Sequence, residues 1–136
     1  MVDDVLLNKV ATIERCVARA EEEYRKDPAT FATDFTRQDA AILNIQRACE
    51  ACLDIGHAII RRQRLGVPQS ARDVFALLAR AGWIDTALAE ALQRMVGYRN
   101  IAVHDYQTLQ LPITIAVIER HLGDFLAFGR AVLGRL

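Results

Sequence analysis

The chain has 136 residues, 52% of them apolar, with 17 Lys and Arg balanced against 17 Asp and Glu and only 7 Gly and 3 Pro. This composition suits one globular domain with its own core and excludes a disordered chain. Zero net charge excludes a broad electrostatic grip on nucleic acid, though not a small basic site. Fifteen of the basic residues are Arg and two are Lys. Arg offers a planar fork suited to phosphate and carboxylate, but genome base composition produces the same bias.

The amino-terminal Met1-Val2-Asp3-Asp4 is acidic where a secretory signal is basic, so no export signal is expected. The longest stretch without a charged residue or histidine, Tyr106 to Ile118, is 13 residues long, too short to span a bilayer. No membrane association is expected, and Cys16, Cys49 and Cys52 read as free thiols of a reducing cytoplasm. Cys49 and Cys52 form a CxxC, but inside a helical stretch and without a second ligand pair at zinc-finger spacing. No metal and no cofactor are expected.

Apolar residues recur at helical steps throughout. Leu6, Val10, Ile13, Val17, Ala20 and Tyr24 form one stripe of a first helix, ended by Asp27-Pro28. Thr36 with Asp39 reads as a capping box opening a second helix from Arg37 to about Arg64, broken by Gly66-Val67-Pro68. Ser70 with Asp73 opens a short helix carrying Val74, Leu77, Leu78 and Ala81, stopped at Gly82. Asp85 caps a fourth helix running through AEALQRMVGYRNIAVHDY. Pro112 fits the first turn of a fifth, with Val117, Ile118, Leu122, Phe125, Leu126 and Leu133 as its apolar face. The expectation is all-α: a single domain over residues 1–136, with four long helices and one short one in an antiparallel bundle.

The fourth helix carries an anomaly. At about 100° per residue, Leu88, Leu92, Met95, Val96, Val103 and Tyr106 fall within about 60° of Arg99. Arg99 therefore sits where an apolar side chain belongs, and leaving a guanidinium unpaired there costs on the order of several kcal/mol. It needs a carboxylate, a polar subunit interface or a ligand phosphate. Asn100 and His104, four apart, flank it, and Tyr106 lies two turns along the same face. Together these groups suit a phosphodiester. The bland reading pairs Arg99 with an acidic residue of another helix and leaves His104 as a semi-buried structural histidine. Asp39, besides capping, could be that carboxylate.

Two features are weaker. His57, Arg61, Arg62 and Arg64 cluster near the end of the second helix, where they would dock RNA or an acidic partner, or simply complement the helix dipole. His121 has no partner at useful spacing and reads as structural.

The segment Arg99-Asn100-Ile101-Ala102-Val103-His104-Asp105-Tyr106 resembles the RNxxxHxY motif of HEPN domains as found in HepT-type toxins. The early helix, QDAAILNIQRACEACLDIGHAII, SARDVFALLARAGWI and the final helix are similar to the HepT layout over nearly the whole chain. The resemblance implies a homodimeric, metal-independent RNase, the toxin of a pair whose antitoxin is a minimal MNT-type nucleotidyltransferase. It also implies that the motif helices of two subunits meet in a composite site, which would place Arg99 in a polar interface.

RNA cleavage without metal needs a base for the ribose 2′-hydroxyl, an acid for the leaving 5′-oxygen, and positive charge on the phosphate. His104 is the natural acid/base, imidazole being the side chain that titrates nearest neutrality. Arg99 would stabilise transition-state charge, and Asn100 would orient His104 or the phosphate. The products would be a 2′,3′-cyclic phosphate and a 5′-hydroxyl. Tyr106 matches the motif tyrosine that in HepT-like proteins can receive AMP from the antitoxin. The alternative is a binding module, a non-catalytic nucleotide- or substrate-binding partner of a nucleotidyltransferase. A third reading is a structural helical dimer with a polar interface.

Overall fold

The computed structural model describes residues 3–136; Met1-Val2, read above with Asp3-Asp4 as unlike a secretory signal, lies outside the described residues. The chain forms α1 (Asp4–Arg25), α2 (Phe35–Gln63), α3 (Ala71–Arg80), α4 (Thr86–His104), α5 (Leu111–Arg120) and α6 (Leu122–Leu133), with no strand among the described residues.

The expected stripe of α1 is buried from Leu6 to Tyr24. It packs antiparallel on α2, with Lys9 paired to Asp54 at 3.0 Å near one end and the Tyr24 and Phe31 rings meeting edge to face near the other. Helix α2, about 44 Å long at 1.5 Å per residue, is buried along one broad face from Ala41 to Ile60 and is the axis of the bundle. Its start differs from expectation. Asp34, not Thr36, is the N-cap: its backbone is extended and its carboxylate accepts the Arg37 N–H at 3.1 Å. Asp outranks Thr at this position, and Asp39 is thereby released from capping.

Arg64 ends α2 in the left-handed region (φ 53°), with the Leu65 N–H returning to the Ile60 carbonyl at 3.0 Å. The cap of α3 is as expected, Ser70 accepting from the Asp73 N–H at 3.1 Å, and Gly82 (φ 82°) provides the stop. At Gly56 a Cβ would lie 2.5 Å from Val74 Cγ1, so glycine is what lets α3 seat on α2.

The expected fifth helix is two helices, making six in all among the described residues. At His121 the backbone leaves helical geometry (φ −123°, ψ −6°), and the Asp124 N–H bonds the His121 carbonyl. The break lets α5 reach α4 through Thr114 and Tyr98, while α6 turns to place Phe128 edge to face against Phe75 of α3. Gly129 of α6 abuts Val10 of α1. Leu133, assigned to the apolar face, is exposed instead. His121 does have a partner: its Nδ1 lies 3.4 Å from the Asp124 carboxylate, three residues on.

Candidate active site

Asp85 caps α4 as expected, accepting the Leu88 N–H at 2.7 Å. The other end departs from expectation, because the helix stops at His104. Asp105 adopts φ −149° and ψ 51°, and Tyr106 opens a single 3-10 turn, Tyr106–Thr108. The core-facing stripe of α4 therefore runs through Leu92, Met95 and Val96 and then fails: Val103 and Tyr106 are 44% and 45% exposed. Arg99 lies where that stripe emerges from the core.

The Arg99 side chain is one-quarter exposed and makes two polar contacts. Its Nη1 donates to Asn100 Oδ1 at 2.8 Å, and its Nε lies 3.7 Å from Glu50 Oε1 on α2. The second distance is beyond hydrogen-bond range, and Nε, buried from solvent, has no hydrogen-bond partner. Glu50 in turn accepts from Gln46 Nε2 at 3.1 Å. Sequence reasoning anticipated a carboxylate from another helix but proposed Asp39; the residue beside Arg99 is Glu50. A signal for it existed. Asp39 and Glu50 are eleven residues apart, only about 20° out of phase on a helix, so one stripe of α2 carries both.

Asp39 faces Tyr106. The phenol donates a hydrogen bond to Asp39 Oδ1, pairing the turn after α4 with the first turns of α2. Partial burial, and then the bond to Asp39 and its charge, push the Tyr106 hydroxyl up to about 12. A shallow depression of about 80 Å³ lies beside the ring, bounded by Gln38, Ile42, Leu109, Leu111 and Thr114. Behind it Tyr98 shares a 2.8 Å hydrogen bond with Thr114, and burial raises its hydroxyl to about 12 as well.

One face of the α2–α4 pair thus gathers the motif residues. Arg99, Asn100 and His104 stand on the last two turns of α4, Glu50 and Asp39 on α2, and Tyr106 joins the two helices. His104 is exposed and open to solvent. Leu43 of α2, between Asp39 and Glu50 on their stripe, and Val103 of α4 add exposed apolar surface there. A larger groove of about 520 Å³ runs along another flank of α4, between it and α5, over Met95, Tyr98, Ile113 and Val117. None of the motif's Arg99, Asn100 or His104 lines it.

The remaining candidates fall outside this face. Cys49 and Cys52 are buried free thiols, raised by burial to about 12 for Cys49 and well above the usual thiol range for Cys52. Thiols held protonated are poor nucleophiles and poor ligands. His57, Arg61, Arg62 and Arg64 are exposed at the far end of α2; Arg62 pairs with Asp3, and Arg64 is the left-handed stop. Among the described residues no helix is long and apolar enough to cross a membrane.

Comparison with known proteins agrees with the all-helical fold. The chain matches the family described as Ribonuclease HepT-like over residues 13–132. It is 52% identical over 127 residues to the mRNA nuclease HepT of Shewanella oneidensis, covering 93% of this chain and 95% of that protein. Among solved structures it superposes with a TM-score of 0.93 and 50% identity on the tri-AMPylated Shewanella oneidensis HEPN toxin in complex with MNT antitoxin, over 98% of this chain and 99% of that one. A toxin–antitoxin structure with AMP-PNP gives a TM-score of 0.93 at 49% identity, over 97% of this chain and 99% of that one. A protein from Thermus thermophilus gives 0.65 at 27% identity, over 90% and 97% of the two chains. With the RNxxxHxY face assembled as described, the chain belongs to the HepT-like ribonuclease family.

Proposed function

We propose that this protein is a metal-independent endoribonuclease toxin. In this reading it acts as a homodimer in the cytoplasm and is neutralised when an MNT-type nucleotidyltransferase antitoxin transfers AMP to Tyr106. The observation that carries the reading is Arg99, a guanidinium at the edge of the core with its Nε unpaired, little more than one helical turn from an exposed His104. The ion pair with Glu50 does not saturate the guanidinium, and its one-quarter exposed side chain stays reachable from the surface that His104 shares.

In the proposed mechanism Arg99 holds the non-bridging oxygens of a scissile phosphate and stabilises the charge that builds on them. Asn100, through its contact with the guanidinium, fixes the fork's orientation. His104 takes the proton of the ribose 2′-hydroxyl, which then attacks the phosphorus and expels the 5′-oxygen. The second subunit's copy of the same histidine returns a proton to the leaving group, giving a 2′,3′-cyclic phosphate and a 5′-hydroxyl. Leu43 and Val103, exposed within the face, support its being covered by a second copy. An AMP group on Tyr106 would bring a bulky anion to the mouth of this cleft and block RNA sterically and by charge.

The test is RNA cleavage in the presence of a chelator. Wild-type protein is expected to cut and to leave cyclic-phosphate ends. Arg99→Ala and His104→Ala are each expected to lose at least about a hundredfold in rate, the usual scale for an acid/base or charge-stabilising group. Unchanged cleavage by His104→Ala would remove it from the mechanism. Cleavage that stops with chelator and returns with magnesium would refute metal independence.

A further inference from the structure

The contact between Tyr106 and Asp39 is more than a tether. A phenol is a poor nucleophile until it loses its proton, and here its hydrogen is already directed at a carboxylate oxygen of the same chain. Both residues are exposed, so an incoming nucleotide can approach the phenolic oxygen. Asp39 is not committed elsewhere: Asp34 caps α2, and Glu50 takes the position beside Arg99. The 3-10 turn after α4 has its own backbone bonds, Thr108 N–H to the Asp105 carbonyl and Leu109 N–H to the Tyr106 carbonyl, both 3.0 Å.

We infer that Asp39 is the general base for the modification of Tyr106, so that the toxin supplies part of the chemistry of its own silencing. The inference rests on Tyr106 being the AMP acceptor. As the Tyr106 oxygen attacks the α-phosphorus of a nucleoside triphosphate, its proton passes to Asp39. The new O–P bond forms, the bond from the α-phosphorus to the bridging oxygen breaks, and pyrophosphate leaves with that electron pair. Asp39, now neutral, does not repel the arriving phosphodiester, and it later loses its proton to water. A transferase acting on this chain then has to supply the nucleotide and its metal, but not the proton acceptor.

A carboxylate that merely held the ring would act in the opposite direction. Its charge and hydrogen bond are among the reasons the phenol is hard to ionise. Removing them would return the hydroxyl toward its ordinary range and make tyrosinate more available, so modification would keep its rate or accelerate. Removing a base slows it.

The measurement is the rate of AMP addition to the full chain by its cognate nucleotidyltransferase with magnesium ATP, followed by intact mass. Tyr106→Phe serves as the control for the site. Asp39→Asn, which keeps an acceptor oxygen at the same place, is expected to be slower by about a hundredfold near neutral pH. Its rate should climb about tenfold per pH unit, because the phenol must ionise before it attacks, whereas the wild-type rate stays level once the carboxylate is charged. Asp39→Glu should recover part of the loss. Asp39→Asn modified as fast as wild type, or faster, overturns the role of Asp39 and leaves Tyr106 as acceptor. AMP appearing equally on Tyr106→Phe overturns the acceptor itself, a distinguishable result.

Discussion

At Arg99, α4 gives up a position that an aliphatic side chain would fill. Its Nε is shut off from water without a hydrogen bond, and its carboxylate neighbour stands at 3.7 Å. Leaving such a donor unsatisfied costs about 1 kcal/mol or more, while partial exposure limits the return from the ion pair. Arg99→Leu is therefore expected to stabilise the fold by about 0.5–1 kcal/mol in urea unfolding while abolishing RNA cleavage, a trade of stability against activity. A destabilised Arg99→Leu protein would show that Glu50 and Asn100 hold the guanidinium more firmly than these distances imply. The anomaly itself was legible in the sequence, since a helical projection puts Arg99 among leucines and valines. Its partner was not, because the projection of one helix says nothing about the rotation of the helix facing it. Asp39 and Glu50 lie on the same stripe, and only the packing of α2 on α4 decides which of them meets the arginine.

The elements follow the same division. Helix stripes, the Ser70 and Asp85 caps and the stop at Gly82 were readable, because each depends on residues within one or two turns. The end of α4 at His104 and the break at His121 were not. No proline or glycine occupies either position, and both serve contacts distant in sequence: Tyr106 with Asp39, and Phe128 with Phe75. Thr36 and Asp34 were competing caps two residues apart, and the backbone chose the aspartate. Arg64 is the least suited residue at an element boundary, a side chain with a Cβ at φ 53°. The left-handed region costs a non-glycine residue about 1 kcal/mol, and glycine is the usual occupant of this stop. Arg64→Gly is expected to stabilise the fold by about 0.5–1 kcal/mol, read as a higher urea midpoint at an unchanged slope. A fall in the midpoint would mean that the Arg64 side chain contributes more than its backbone costs.

At the scale of the whole fold, helices α1 to α6 bury one core around α2 and leave one flank of α2 and α4 with both polar chemistry and apolar surface. An antiparallel helical bundle was legible from spacing alone; that α2 would offer Asp39 to Tyr106 and Glu50 to Arg99 was not. In the proposed dimer this flank is the interface, and Val103, 44% exposed in the single chain, would lie against the second copy. Val103→Glu places a charge there one turn from Arg99, within reach of its guanidinium, so the association state and not cleavage alone is the diagnostic readout. The expected outcome is a folded monomer by light scattering, with an unchanged helical spectrum and no RNA cleavage. A Val103→Glu protein that still pairs and still cuts would move the interface elsewhere.

Cys16, Cys49 and Cys52 are all enclosed, each with burial holding the proton on sulfur. Peroxide and alkylating reagents attack thiolates that they can reach, so in the folded chain these three thiols offer them no target. Each sulfur becomes reactive only when the helices around it part. Cys16 faces α2 from α1, and Cys49 on α2 lies near Arg99 of α4, so the rates at which these two are alkylated time the separate openings of the α1–α2 and α2–α4 seams. Oxidation of these three cysteines is thus gated by the protein's own breathing: whatever clamps the bundle shut also shields their sulfur.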